Sequence, residues 1–447
     1  MIQDVPAYAN RIFYSLGFLS MTCFMILIAT GVVMVAYGPN WWLTSPVGEY
    51  FRSVHLWATQ AFVLFILLHL MVVFFSSGFR KPRRLTWVFG ALMFFFVLAE
   101  AEFGYVLRGD FSSQWRSLQG ADLYNGSGIG AWLNNLNYHQ IYGIHIVAVP
   151  ALIFGLLFMH YLLVRTQGIA KPYKPEVKVP TVRANHNVLF LRGGVLVGLI
   201  ALLAWVFPSP FLKPETIKDI AAQDPKLIAQ TLMQEYTHSS DTATYLDTID
   251  PYKFDTKTIY IDEPYAQLTA YNHTSNLLQE FYAKPQAAQD KDVKAAQDYF
   301  DSSYPAQPSA DNQLELAIIS LTNAAVAGLY QPAINSANPN TGDQTTYATR
   351  FLADTGIMDS RAQALGMTTD QYGMLREEKG HIPPGAWWLA PVGLMDHTIL
   401  ANDANQDRDG AAILGCLLLL LIAMPYIPGL NQIPDKLKVY RYLWKYQ

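Results

Sequence analysis

Six stretches of this chain are apolar over lengths that commit them to crossing a lipid bilayer as helices. They run roughly over 13–37, 54–76, 86–107, 140–164, 188–208 and 411–427. A helix needs about 20 apolar residues to span the hydrocarbon core. There every backbone N–H and C=O has to be satisfied within the segment, which a helix does. Only 15% of the residues are charged, against about 25% in soluble proteins. Mean hydropathy is nevertheless only +0.15, so the chain reads as part membrane-embedded and part water-exposed.

The basic loops orient the spans. Arg80-Lys81-Pro82-Arg83-Arg84 follows the second span. Arg165, Lys171, Lys174, Lys178 and Arg183 follow the fourth. Lys436, Lys438, Arg441 and Lys445 follow the sixth. If six spans alternate, all three groups share one side, which the positive-inside rule makes cytoplasmic. Both termini then lie there, in a bacterial inner (cytoplasmic) membrane, and the N-terminus reads as mature. Residues 209–384 are polar and hold 12 Lys and Arg against 23 Asp and Glu, a net of −11. The whole chain is −4, so the remainder is +7. This acidic segment is expected on the outer, periplasmic side. It is long enough for a core of its own, with helices over Gln313–Tyr330 and Ala287–Phe300. Its acidity either steers a basic partner such as a soluble cytochrome or keeps the domain soluble.

Several chemistries are excluded. Cys23 and Cys416 are the two cysteines, both within apolar runs, and no Cys-x-x-Cys-His occurs. Two distant thiols cannot hold an iron–sulfur cluster or zinc, or attach a c-type haem of the standard kind. No Walker motif, dinucleotide fingerprint or basic stripe for nucleic acid is present.

Histidines carry the chemistry, because polar groups inside a bilayer are costly and mark function. His55 and His69 lie fourteen apart in the second span; His145 and His160 lie fifteen apart in the fourth. Four helical turns take about 14.4 residues, so each pair lies on one face, about 21–22 Å apart along the axis. Two such helices facing each other offer two bis-histidine sites at two depths, the geometry for two b haems carrying electrons across the membrane. Neutral imidazole is a suitable axial ligand. Gly17 and Gly31 in the first span, and Gly90 and Gly104 in the third, repeat the fourteen-residue spacing. Glycine removes the side chain where a porphyrin edge needs room. Singly, such glycines also serve close helix packing, and a lone intramembrane histidine can be a proton relay. Arg52, one turn before His55, is placed either to pair with a haem propionate or to snorkel to the interface. His139 lies off the spacing. His186, His238, His273, His381 and His397 show no paired geometry.

Several segments resemble one family. Arg52-Ser53-Val54-His55, the stretch Ser77-Gly78-Phe79-Arg80-Lys81-Pro82-Arg83-Arg84-Leu85-Thr86-Trp87, Gly104-Tyr105-Val106-Leu107 and the run from His160 to Ile169 are similar to the cytochrome b family of quinol–cytochrome oxidoreductases. The likeness is greatest to the photosynthetic, chloroplast-type member. It is strong over 11–172, weaker over the fifth span, and returns at 385–435, where Pro425-Tyr426-Ile427-Pro428 resembles the end of the family's sixth helix. The resemblance implies an all-α membrane protein with a four-helix diheme core over 1–187 and a fifth helix over 188–208. The outer domain over 209–384 would be an insertion. The quinol-site loop, sixth helix and cytoplasmic tail would occupy 385–447. It implies two haem b groups, the outer held by His55 and His145 and the inner by His69 and His160. It implies quinone exchange, with Arg165 a candidate contact at the inner site. It implies partner subunits, of a Rieske or c-type cytochrome kind, in a complex that is dimeric in the family.

Three departures bear on mechanism. Ser15 stands where photosynthetic members carry a cysteine for an extra haem. Arg108-Gly109-Asp110-Phe111 replaces Pro-Trp-Asp-Gln, keeping the aspartate, and Trp115 also matches. The family's Pro-Glu-Trp-Tyr motif reads Gly385-Ala386-Trp387-Trp388-Leu389-Ala390-Pro391-Val392, so Ala386 replaces a glutamate that takes a proton from quinol, and alanine accepts none. Asp110, Glu100, Glu102 and Asp396 are candidates to substitute, with Asp110 and Glu102 foremost. Trp387 and Trp388 either line that site or belong to an interfacial aromatic belt. The expected function is electron transfer between the quinone pool and an outer-side partner, as a subunit of a quinol:acceptor oxidoreductase. The rivals are a haem-bearing scaffold and the quinone-reducing diheme anchor of a dehydrogenase or hydrogenase.

Overall fold

A computed structural model describes residues 4–130, 132–168, 170, 180–248, 255–272, 276–336, 346–368, 382–403 and 405–443. The protein is an all-α membrane protein. Among the described residues, six helices are long and apolar enough to cross a membrane: Leu16–Tyr37, Pro46–Phe75, Arg84–Val106, Tyr138–Gln167, His186–Val206 and Arg408–Tyr426. Lys171, Lys174, Lys178, Lys445, His273 and His381 lie outside the described residues. One two-stranded antiparallel pair, Asp4–Pro6 with Thr181–Arg183, ties the N-terminal segment to the stretch before the fifth span.

The second span begins eight residues earlier than its apolar run. Ser45 caps it, Pro46 takes the first helical position, and Glu49 sits in the first turn. These polar start signals extend a helix beyond its hydrophobic part. Just before it, the short helix Pro39–Thr44 turns the chain back. A Cβ on Gly48 would lie 2.7 Å from Trp42 Cα, so only glycine admits this close approach.

The first span packs along the second, and the third along the fourth. The fifth leans on the first two: Trp57 Nε1 donates to Phe207 O at 2.8 Å, and Arg192 Nη1 to Ser15 Oγ at 2.5 Å. Ser15 is thus buried and hydrogen-bonded to the fifth span. The sixth span packs on the third, where Trp87 Nε1 donates to Leu421 O at 2.8 Å. Beyond it, Asp435 ion-pairs with Arg80.

The helix Phe111–Gly126, which has no long apolar run to announce it, joins the membrane bundle to the acidic segment after the fifth span, the outer domain of the expected topology. Asp110 caps it through Ser113 N at 3.0 Å. Its Phe111 is fully buried in the outer domain's core, among Ile217, Ile220, Leu232, Phe281, Leu321 and Phe351. Arg361 lies over the Phe111 ring at 4.2 Å and ion-pairs with Glu215. Trp115 Nε1 donates to Met367 O at 3.1 Å. The described part of the outer domain is helical, with Gln313–Ala327 at its centre and Gln286–Asp298 alongside.

Because Phe111 is the bundle's plug in that core, Phe111→Ala is expected to destabilise the outer domain by about 3–5 kcal/mol. Thermal unfolding with limited proteolysis of the solubilised protein reads this out. Unchanged melting and protease resistance would show that the plug is dispensable.

Candidate functional site

The four histidines and four glycines meet one to one. A Cβ on Gly17 would lie 3.4 Å from His69 Cε1, and one on Gly90 3.4 Å from His160 Cε1. On Gly31 it would lie 3.6 Å from His55 Cε1, and on Gly104 3.1 Å from His145 Cε1. The first span therefore leaves space beside both histidines of the second, and the third beside both of the fourth. At the outer level the His55 and His145 ring centroids are 6.3 Å apart. Two metal–nitrogen bonds of about 2 Å each, plus the ring radii, fill that gap. At the inner level His69 and His160 line one cavity of about 380 Å³ together with Gly17 and Gly90.

The fifteen-residue spacing in the fourth span has a structural cause. Ile144–Ala148 forms a single π turn that contains His145. Pro150 follows, lacking an N–H and crowding the preceding turn. A π turn takes up one extra residue, so His145 and His160 regain the phase of the fourteen-residue pair.

The rings are oriented by their Nδ1 atoms. Thr30 Oγ1 gives its proton to Ile26 O at 2.7 Å, so it accepts from His55 Nδ1–H at 2.8 Å. His160 Nδ1–H donates to Thr86 O at 3.0 Å. His145 Nδ1 lies 3.1 Å from Glu100 Oε1. The hydrogen bonds at His55 and His160 fix the tautomer and leave Nε2 as the free lone pair that a metal takes. Thr30 and Thr86 escape sequence reasoning, because a threonine in an apolar helix also bonds its own backbone.

Midway between the two levels lies a plug that the spacing implies but does not display. Phe24 is midway between Gly17 and Gly31, Phe62 between His55 and His69, and Val97 between Gly90 and Gly104. All three are buried. The Phe24 and Phe62 rings stack at 5.7 Å. Among the described residues, no group of three or more His, Cys, Asp or Glu side chains gathers to hold a metal ion. The histidines come instead as facing pairs, the donor set suited to an iron whose remaining ligands come from a porphyrin.

The motif loop docks at the outer end. Gln60 Nε2 donates to Tyr105 Oη at 3.0 Å and to Pro384 O at 2.9 Å, while Gln60 Oε1 accepts from Trp387 Nε1 at 2.8 Å. Trp388 Nε1 donates to Glu102 Oε1 at 2.9 Å. Ala386 is fully buried. Gln60 was legible in principle as a polar residue inside an apolar span.

The other candidates separate by place. Asp110 is fully buried, pairing with Arg108 at 2.7 Å and capping a helix. Glu102 keeps 25% of its side chain exposed and lies 3.4 Å from Arg116. Arg52 donates to Ser209 O at 3.1 Å and lies over Phe211 at 5.5 Å. Arg165 is exposed and does not line the inner cavity, whereas Arg83 and Gln167 do. His139 is exposed, and His238 pairs with Asp255 at 2.9 Å.

Residues 60–214 match the family described as "Cytochrome b(N-terminal)/b6/petB". Over 194 residues the chain is 32% identical to cytochrome b6 of Heliobacterium modesticaldum, covering 90% of that protein and 38% of this chain. The chain belongs to the cytochrome b family. Cytochrome b6 of Mastigocladus laminosus is 31% identical, with 88% of it covered. That of Prochlorococcus marinus is 32% identical, with 87% covered. A chain of a "Hyperthermophilic respiratory Complex III" superposes with a TM-score of 0.42 at 14% identity, covering 97% of this chain and 94% of that one, a likeness too low to bear on function. Membership in the cytochrome b family makes this a multi-pass electron-transport protein that binds haem b. The residues fit the group: side-chain-free gaps beside paired imidazoles are what a porphyrin requires.

The glycine gaps differ in tightness, and that can be measured. Gly104→Val is expected to push His145 out of place and lower the haem b bound per chain. Gly31→Ala, whose methyl makes ordinary contact, is expected to leave it unchanged. Pyridine-haemochrome assays of both variants decide. Full haem content in Gly104→Val would show that the gap is not a haem gap.

Proposed function

We propose that this chain is the diheme cytochrome b subunit of a multi-subunit membrane complex. It passes electrons between the quinone pool and a redox partner on the outer side. The observation that carries the reading is the doubled pairing of imidazoles, His55 with His145 and His69 with His160, each beside its own glycine gap. Haem b, when bound, supplies one-electron transfer between two oxidation states of its iron. The chain's own residues hold and orient the groups. Thr30, Thr86 and Glu100 aim the imidazoles, and Phe24 and Phe62 keep the two levels apart. Arg83 and Gln167 put polar groups on the inner cavity wall, better placed than Arg165 to meet a quinone head group or propionate there. The basic loops support a cytoplasmic inner face and an outer-side acidic domain. A Rieske-type or c-type cytochrome partner suits the chemistry, since the chain supplies no other acceptor of its own.

At the outer face Glu102 is the carboxylate we assign to receive the quinol proton that Ala386 cannot. It reaches the docked loop at Trp388 and is part-exposed, whereas Asp110 is committed to a helix cap and an ion pair. One observation favours a second reading, in which the outer face no longer oxidises quinol. Ala386 is fully buried, and Gln60 and Glu102 hold both tryptophans across that face.

Redox titration of the purified complex is expected to resolve two b-type components, with one lost in His55→Ala and the other in His69→Ala. Absence of b-type absorbance after full haem supply overturns the reading. Glu102→Gln is expected to slow quinol reduction of the outer haem by about a hundredfold. Outer-haem reduction by quinol that is already slow and insensitive to outer-site inhibitors in the wild type would instead establish the second reading.

A further inference from the structure

The outer domain contains two carboxyl groups, one fully buried and one half-buried, that electron transfer does not use. Glu235, near the end of the helix Pro225–Tyr236, is fully buried. Asp354 ends the helix Thr346–Asp354. Each has one oxygen satisfied by an ordinary donor. Ser240 Oγ donates to Glu235 Oε2 at 2.7 Å, and the Thr242 backbone N–H donates to Asp354 Oδ1 at 2.9 Å. The remaining oxygens, Glu235 Oε1 and Asp354 Oδ2, are buried and have no donor. Their donors, Ser240 and Thr242, are two residues apart in the chain, which brings the two carboxyl groups to one place. Ionised carboxylates only accept hydrogen bonds, so two of them facing each other leave both oxygens unpaired, at a cost of kilocalories per buried group.

The hydroxyls of Thr256 and Thr242 lie near Glu235 and Asp354 respectively, but no group among the described residues donates to Glu235 Oε1 or Asp354 Oδ2. Tyr330 spends its hydroxyl on Tyr260 O at 2.7 Å, and Tyr260 on Tyr347 O at 2.9 Å. Thr256 Oγ1 donates to the Glu235 backbone carbonyl at 3.0 Å. Arg350 is felt at Tyr260, and Asp241 adds further negative charge beside Asp354. Glu315, on the adjoining helix Gln313–Ala327, faces Ser309 N at 2.7 Å.

We propose that Glu235 and Asp354 bind one proton between Glu235 Oε1 and Asp354 Oδ2, forming an acid–carboxylate bond that joins these two helices in the core of the outer domain. Burial, and then the facing carboxylate, push the proton affinity of Glu235 well above the ordinary carboxylate range; burial pushes Asp354 the same way. The folded domain therefore holds a proton that an opened one releases. Its stability is complete below the ordinary carboxylate range and drains as pH rises toward the raised value. This pair therefore stabilises the domain most in acid, the reverse of a salt bridge.

The test uses the full chain in detergent. Infrared difference spectra of wild type against Glu235→Gln at about pH 7 are expected to show a protonated-carboxyl carbonyl band that the variant lacks. Hydrogen exchange in 225–236 and 346–354, corrected for intrinsic chemistry, is expected to accelerate by up to tenfold per pH unit between about pH 6 and about pH 9. In Glu235→Gln, whose amide donates to Asp354 permanently, that acceleration is expected to vanish. Asp354→Asn serves as the reciprocal variant. Should neither variant fold, the wild-type profile decides alone. A flat corrected profile, or no protonated-carboxyl band, overturns the shared proton.

Discussion

The membrane half of this protein depends on a glycine standing opposite a histidine at four places. A bilayer offers no water to satisfy an imidazole, so each histidine there has to be directed at something. Thr30, Thr86 and Glu100 take up the outward-facing nitrogens, and the glycines of the neighbouring span leave the ring flanks open. The helices cannot shift along one another without losing both arrangements at once. The close pairing of first with second span and third with fourth is therefore as much a requirement of the site as a result of apolar packing.

Between the two levels the requirement inverts. Where the glycines leave gaps, their midpoints fill them: Phe24, Phe62 and Val97 are all buried. The bundle is thus open at two depths and closed between them. In the proposed reading this keeps two one-electron carriers distinct while holding them in one rigid frame. The π turn at His145 serves the same frame, restoring phase where the fourth span carries one residue too many.

At the outer end the membrane bundle and the outer domain are a single packed structure. Phe111 and Trp115 leave the bundle to enter the outer core, and the loop bearing Ala386 returns to the bundle through Gln60 and Glu102. The surface at this end is built from both halves. In the acidic domain the proposed Glu235–Asp354 pair joins two carboxyls to each other, beside ordinary ion pairs such as Arg361 with Glu215.

Much of this was legible in the chain of letters. Span length and hydropathy dictate membrane helices because unsatisfied backbone is so costly in lipid. Helical periodicity turns fourteen-residue spacings into shared faces, which made His55, His69, His145 and His160 and their glycines readable as a set. Both signals are local, arising within one helix. What only the tertiary structure decided are meetings between segments far apart in the chain. The Phe111–Gly126 helix finds its apolar partners in another domain. Glu102, and not Asp110, reaches the motif loop. Arg52 meets Ser209 O and Phe211, and Glu235 comes beside Asp354. No periodicity encodes such contacts, because they follow from how finished helices pack.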